Sequence, residues 1–219
     1  MKPTEIKGIY KEKNKLFTEN PKESKGIKVY NEKIINKKGK QYRSWNPYRS
    51  KMAAALLKNL NIPIQKNSKI LYLGASTGTT VSHISDIITD GRIYAVESSP
   101  VSFKKFSKLY HQRNNIIPIL EDANHPDRYH PLVPKVDIIY QDISQRNQAD
   151  IFTRNIKIFL KKNGKAYLMV KARSIDVSSK PKKIYEIVAK QLQKNDIKIK
   201  DIVELRPYEK DHACISVFI

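Results

Sequence analysis

Residues 71–80 read LYLGASTGTT. The apolar run KILYL ends at Gly74, Ala75 follows, and Gly78 stands four residues after the first glycine, just ahead of a helical pattern. Glycines at such a strand-to-helix turn let a nucleotide-like ligand approach the backbone. The third glycine of the dinucleotide fingerprint is missing, and no Gly-Lys-Ser/Thr follows, so neither usual phosphate cradle is present. Glu97 directly follows RIYAV, 23 residues after Gly74. An acid at that second strand tip can accept hydrogen bonds from both hydroxyls of a ribose. Asp122 follows IIPIL at the next tip. A carboxylate there can accept from an exocyclic amine such as that of adenine. Together the three tips suit an adenosine ligand without a pyrophosphate, and S-adenosylmethionine fits that description. Taken singly, the glycines also fit a plain tight turn and Glu97 an exposed loop acid.

These groups need a scaffold that brings strand tips to one edge. From residue 69 onward strand and helix patterns alternate. KILYL is followed by the helical TVSHISDII, RIYAV by VSFKKFSKLYHQR, and the short apolar IIPIL leads to the strand VDIIY. QADIFTRNIKIFL is helical, KAYLMV a strand and KKIYEIVAKQLQK helical, before IKIKDIVEL and ACISVFI close the chain. This rhythm predicts an α/β fold, a doubly wound and mostly parallel sheet with helices on both faces. Only RPYEKDH joins the last two strands. A parallel crossover needs a dozen or more residues, so the last strand is expected to run antiparallel. That is the Rossmann-like pattern of class I methyltransferases, by analogy of fold. Ahead of it, NPYRSKMAAALLKNL reads as a helix capped by Asn46 with Pro47 in its first turn. Residues 1–45 differ: short β runs such as GIKVYNEKII and a turn at Gly39 predict a small basic antiparallel β domain, with residues 46–219 forming the Rossmann-like one.

The 219 residues carry 42 Lys plus Arg against 21 Asp plus Glu, a net charge of +21. A globular chain this basic points to a polyanion partner, nucleic acid first and anionic membrane second, with a lysine-rich habit as the plain alternative. Cys214 is the one cysteine, so neither an intrachain disulfide nor a cysteine zinc cluster can form. No apolar run approaches the roughly 18 residues of a spanning helix. The opening MKPTEIKGIYKEK has no apolar signal core. The expectation is a cytoplasmic protein without membrane contact or a bound metal.

Seven stretches in order, NPYRSKMAAALL, LYLGASTGTTVSHISDII, YAVESS, NIIPILEDANHPDRY, VDIIYQDISQ, VKARSID and PYEKDHA, resemble the fibrillarin family of RNA-guided ribose 2′-O-methyltransferases. The resemblance covers residues 46–219, and the basic N-terminal portion fits the family's small β domain. It implies S-adenosylmethionine as methyl donor and ribose in rRNA, or also tRNA, as acceptor. It further implies a box C/D guide RNA, a Nop-family scaffold protein and a kink-turn-binding protein as partners. The cofactor pocket would be lined by Gly74, Ala75, Thr79, Thr80, Glu97, Ser98, Asp122, Ala123, Asp142, Ile143, Ser144 and Gln145. The catalytic set would be Lys51, Asp142, Lys171 and His212. Ser76-Thr77, Ser98 and the sequence DISQ depart from the usual pattern without removing a proposed catalytic group. With 7 Gly in all, the chain lacks the Gly/Arg-rich tail of eukaryotic members, which favours the archaeal type.

A ribose hydroxyl is a poor nucleophile, so such an enzyme must align it and help remove its proton. Asp142 and Lys171 end parallel strands and His212 begins the antiparallel one, so all three reach the same sheet edge. Pattern alone cannot place Lys51. Lys171 is the expected base, oriented by Asp142, with Lys51 supplying positive potential and His212 supporting the network or accepting a proton. Lone lysines are more often solvated, and His212 equally suits a turn cap. His83, His111, His125 and His130 are assigned no chemistry. Tyr42, Arg43, Trp45, Tyr48 and Arg49 interleave cations and aromatics, either to contact RNA or to join the β domain to the rest. Two rival functions stay open, a stand-alone RNA methyltransferase and a catalytically idle RNA-binding assembly subunit. A nicotinamide dehydrogenase is disfavoured by the missing glycines.

Overall fold

The computed structural model describes residues 1–21 and 24–219. Its central feature is a seven-stranded sheet built from β6 (Lys69–Leu73), β7 (Arg92–Glu97), β8 (Ile116–Leu120), β9 (Val136–Gln141), β10 (Leu160–Lys171), β11 (Lys198–Glu204) and β12 (His212–Phe218). The order is β11-β12-β10-β9-β6-β7-β8. Strands β8, β7, β6, β9 and β10 are parallel, and β12 runs antiparallel to both β10 and β11. The expected mostly parallel sheet with an antiparallel last strand is therefore present. IIPIL forms the edge strand β8, where Pro118 can be tolerated because an edge has one side free of ladder bonds.

Alternation along the strands sorts the core into two layers. Ile70 and Tyr72 of β6 join the layer that holds buried residues of α1 (Lys51–Leu57), α2 (Thr79–Ile87) and α3 (Pro100–Tyr110). Leu71 and Leu73 face the opposite layer, against α4 (Gln148–Phe159) and α6 (Pro181–Gln193). Between β10 and α6 lies the short α5 (Ala172–Ile175). Helix α1 is shorter than the sequence pattern indicates. Its cap is Ser50, whose hydroxyl accepts from Ala53 N, and not Asn46. Asn46 instead accepts from Tyr48 N at 2.9 Å in a turn that precedes the helix. A short polar side chain competes well for such a local bond, which is why the earlier start fails. The Pro-broken stretch HPDRYHPLVPK contains two 3-10 turns, Pro126–Arg128 and His130–Leu132.

The N-terminal residues form a second, antiparallel sheet of β1 (Lys2–Pro3), β2 (Ile9–Glu12), β3 (Lys15–Glu19), β4 (Ile34–Lys37) and β5 (Lys40–Trp45), ordered β1-β2-β3-β5-β4. Lys38 and Gly39 make the β4–β5 turn with φ of 51° and 73°. A two-residue hairpin turn with both φ positive matches strand twist. Of GIKVYNEKII only the final residues enter a strand; residues 26–33 form turns and bends. Glu32 explains this, because its carboxylate accepts from Val29 N and Tyr30 N and folds the segment on itself.

A buried polar cluster bolts this sheet onto α2. Arg43 reaches Glu32 at 2.7 Å and Asp86 at 2.8 Å, and Arg113 reaches Asp86 at 2.5 Å. Thr18 donates to Asp86 at 2.6 Å. His83 is fully buried, bonded to Thr18 through Nδ1 and to Tyr30 through Nε2, and Trp45 stacks on its ring at 4.9 Å. Arg43 and Trp45 thus join the two sheets, leaving Tyr48, 62% exposed, and Arg49 on the outside. Among the described residues no helix is long and apolar enough to cross a membrane, and no group of three His, Cys, Asp or Glu could hold a metal ion.

Candidate active site

Parallel strands direct their carboxyl ends, and the loops that follow, to one edge of the sheet. A cleft of about 270 Å³ lies there, lined by Gly74, Glu97, Ser98, Asp122, Ala123, Asp142, Ile143, Ser144 and Gln145, with Ser76, Val96 and Glu121 completing it. Gly74 has a φ of +88°, and a Cβ on it would strike the carbonyl oxygen of Asp142. The first loop and the loop after β9 therefore approach closely only because residue 74 is glycine. Ala75 is buried, Thr79 begins α2, and the Thr80 hydroxyl donates to Ser50 Oγ at 2.9 Å, so these three stand outside the cleft lining.

Both oxygens of Glu97 are held by backbone. Ser76 N donates to one at 2.7 Å and Ser99 N to the other at 2.8 Å. Each carboxylate oxygen has further lone pairs, so the fixed group can still accept from a ligand diol. Ser76 adopts a φ of +51° to deliver its amide, a use no sequence pattern announces. Asp122 accepts from Asn124 N at 2.9 Å and Asn124 Nδ2 at 3.0 Å. Burial pushes its carboxyl up, but these bonds and nearby His125 and Arg128 outweigh it and hold it below the usual range. Asn124 also donates to Gln145 at 2.8 Å, tying two walls together. Acid acceptors at two adjacent tips, in a cleft with no phosphate cradle, fit the donor pattern of an adenosine compound.

Next to this cleft lies a cluster of charges. Lys51, the first residue of α1, donates from Nζ to Asp142 Oδ1 at 2.7 Å, and both side chains are about four-fifths buried. Ser50 caps α1 and Met52 to Ala55 bury its inner face, which sets the direction of Lys51. Lys171 ends β10 directly opposite His212 in the β10–β12 register. Its amide donates to Gln148 Oε1 at 3.1 Å, and Gln148 Nε2 donates to Gln145 O at 2.8 Å, so the buried Gln148 links cleft wall and cluster. His212 Nδ1 lies 2.7 Å from the carbonyl of Lys210. A carbonyl only accepts, so Nδ1 carries the hydrogen and Nε2 is the bare nitrogen of the neutral ring. Burial lowers the His212 pKa below its ordinary value, and Lys51 and Lys171 act in the same direction against the Lys210 bond and Asp142.

Lys51 and Asp142 are in contact, Lys171 lies opposite His212, and all three charges bear on the His212 ring. Glu209, in the β11–β12 hairpin, joins them and was missed. It lies 3.9 Å from His212 Nδ1. Burial raises its pKa, Asp142 adds to that, and Lys51 and Lys171 pull it back. Its signal was present in PYEKDHA, but an acid in a charged hairpin is indistinguishable from a solvated one without the fold. A larger cleft of about 850 Å³ lies between the N-terminal strands and the end of α1, remote from these groups.

Comparison with known proteins agrees with this geometry. The fibrillarin family model matches residues 1–219. The chain is 50% identical over 213 residues to a fibrillarin-like rRNA/tRNA 2′-O-methyltransferase of Thermoplasma acidophilum, covering 97% of this chain and 90% of that one. An Aeropyrum pernix fibrillarin crystallised with natively bound S-adenosyl-L-methionine superposes with a TM-score of 0.85 at 44% identity, over 93% of this chain and 88% of that one. A fibrillarin in complex with Nop5p gives 0.88 at 44% identity, over 96% and 97% of the two chains. With its whole length matched by the family model and relatives at 44–50% identity over most of both chains, this chain belongs to the fibrillarin family.

Proposed function

We propose that this chain methylates ribose 2′-hydroxyls of rRNA, and of tRNA, with S-adenosyl-L-methionine as donor, as the catalytic subunit of a box C/D guide ribonucleoprotein. The observation that carries the reading is the Lys51–Asp142 pair at 2.7 Å, set against an adenosine-suited cleft and beside Lys171 and His212. When bound, the donor supplies a methyl group already activated by a sulfonium charge. Glu97 would hold the ribose hydroxyls of the donor, and Asp122 the adenine amine. Gly74 and residues 142–145 would form the floor.

The remaining work belongs to the charged cluster. The target hydroxyl must be held in line and lose its proton as the oxygen–carbon bond forms. Asp142 fixes the Lys51 ammonium, which favours negative charge developing on the ribose oxygen. Lys171, on the adjoining strand end, adds to that potential. His212, neutral and with Nε2 bare, is the group suited to accept the proton, in place of Lys171, because its pKa is pressed down by burial and its tautomer is fixed. The net charge of +21 supports phosphate contacts throughout. No base-reading module is visible, so target choice is assigned to guide RNA, held with a Nop-family scaffold and a kink-turn-binding protein.

Reconstitution with guide RNA and both protein partners tests this, following labelled methyl transfer to a complementary RNA. Incorporation at one nucleotide is expected, with none when that nucleotide lacks its 2′-hydroxyl. Transfer that persists without the hydroxyl, or site-specific transfer by the chain alone, would overturn the ribose or the guide assignment respectively.

A further inference from the structure

The catalytic set implied by the family resemblance ends at four residues, yet the site contains a fifth charged group. Glu209 sits in the hairpin between β11 and β12, with its side chain about one-fifth exposed. Among the described residues its carboxylate has no hydrogen-bond donor within reach; its backbone alone is engaged, through Glu209 N to Leu205 O at 3.2 Å. Asp142, by contrast, is paired with Lys51. The Glu209 carboxylate is thus partly open to solvent and not tied to any one donor, which leaves it free to answer a charge that appears beside it. Its Oε2 lies 3.9 Å from His212 Nδ1.

Charges facing His212 come from three elements. Lys51 on α1 and Lys171 on β10 oppose a proton on the ring, while Asp142 after β9 favours it. A base between two ammonium groups would be a poor one, since each proton it accepts adds a third cation. Asp142 is already committed to Lys51. Among the described residues Glu209 is the carboxylate within 4 Å of the ring, close enough to balance an imidazolium. Nδ1 already holds its hydrogen against Lys210 O, so a proton arriving at Nε2 makes the ring cationic without a change of tautomer. Resting on the proposed ribose methylation, we infer that Glu209 is a positioning residue, whose carboxylate stabilises the His212 imidazolium formed as the ribose hydroxyl gives up its proton. The step balances: the ribose oxygen bonds the methyl carbon, the bound donor would lose its sulfur–carbon bond and leave as a neutral thioether, the hydroxyl proton goes to Nε2, and Glu209 keeps its own charge throughout.

Two measurements on Glu209→Gln test this. In the reconstituted complex, single-turnover methyl transfer is followed against pH, with His212→Asn marking the limb that belongs to the imidazole. Removing a carboxylate at this distance is expected to make the imidazole about tenfold harder to protonate. The acid limb then moves about one unit to lower pH, and the plateau rate falls by roughly 3- to 10-fold. In the full chain alone, the imidazole resonances of His212 titrate about one unit lower in the variant than in the unmodified protein. A plateau loss without a shift in either titration would mean that Glu209 merely shapes the hairpin, and it overturns the inference. Unchanged rate and titration overturn it equally. If the unmodified complex transfers no methyl group, the proposed function fails first, and the resonance titration still decides the coupling.

Discussion

Asp86→Asn probes the cluster that holds the N-terminal sheet against α2. Asp86 accepts from Thr18 at 2.6 Å, Arg43 at 2.8 Å and Arg113 at 2.5 Å, and its side chain is fully buried. The formal charges of Arg43, Arg113, Glu32 and Asp86 cancel. The amide leaves one uncompensated buried positive charge and turns an NH₂ toward guanidinium groups that can only donate. Removing one partner of a buried pair typically costs about 3–5 kcal/mol. In a chain of this length each kcal/mol moves the melting midpoint by roughly 2–4 °C, so a drop of about 6–20 °C is expected. Thermal melting reads that drop, and reversible urea unfolding gives the free energy, where the slope should hold while the midpoint falls. Asp90→Asn is the control. Its pair with Lys66 is as short, 2.8 Å, but both side chains are more than half exposed, so the midpoint should not move measurably. If Asp86→Asn costs under about 1 kcal/mol, or matches the control, the two sheets are held by apolar contact and the electrostatic account is wrong.

Three further outcomes follow from the same geometry. Burial and the two arginines keep the His83 pKa well below its ordinary value, whereas the unfolded chain protonates near about 6.5. The unfolded state therefore binds the extra proton, and stability present above that pH is lost on acidification by up to about 1.4 kcal/mol per unit. Urea midpoints of His83→Asn should be lower but flatter than those of the unmodified protein between about pH 7 and pH 5.5; a parallel slope would refute this. Gly74→Ala combines a left-handed φ with a clash against the Asp142 carbonyl, so calorimetry should show S-adenosylmethionine binding at least about tenfold weaker. Undiminished affinity would remove Gly74 from the pocket. Lys51→Met deletes the ion pair with Asp142 and should slow single-turnover methyl transfer in the complex about 100-fold or more. A fall of less than about threefold would exclude Lys51 from the chemistry.

The sequence by itself determined the sheet and its active edge. Apolar strands alternating with helices of 3.6-residue period are local patterns, and the seven-residue link RPYEKDH allows only an antiparallel last strand. From these alone Glu97, Asp122, Asp142, Lys171 and His212 fall at one edge, because strand direction fixes which end carries each residue. Tertiary structure decided what no local pattern encodes. Lys51 meets Asp142 across 91 residues because α1 docks through Met52 to Ala55, and the start of that helix rests on the Ser50 cap, four residues later than the pattern indicated. Arg43 and Trp45, which composition could equally assign to RNA, are consumed in joining two sheets through His83 and Asp86. Glu209 looks solvated in sequence and comes within the field of Lys51, Asp142 and Lys171 only in the folded chain. In each case the deciding quantity is burial against a distant partner, which sets whether a charge is solvated or must be answered by another charge.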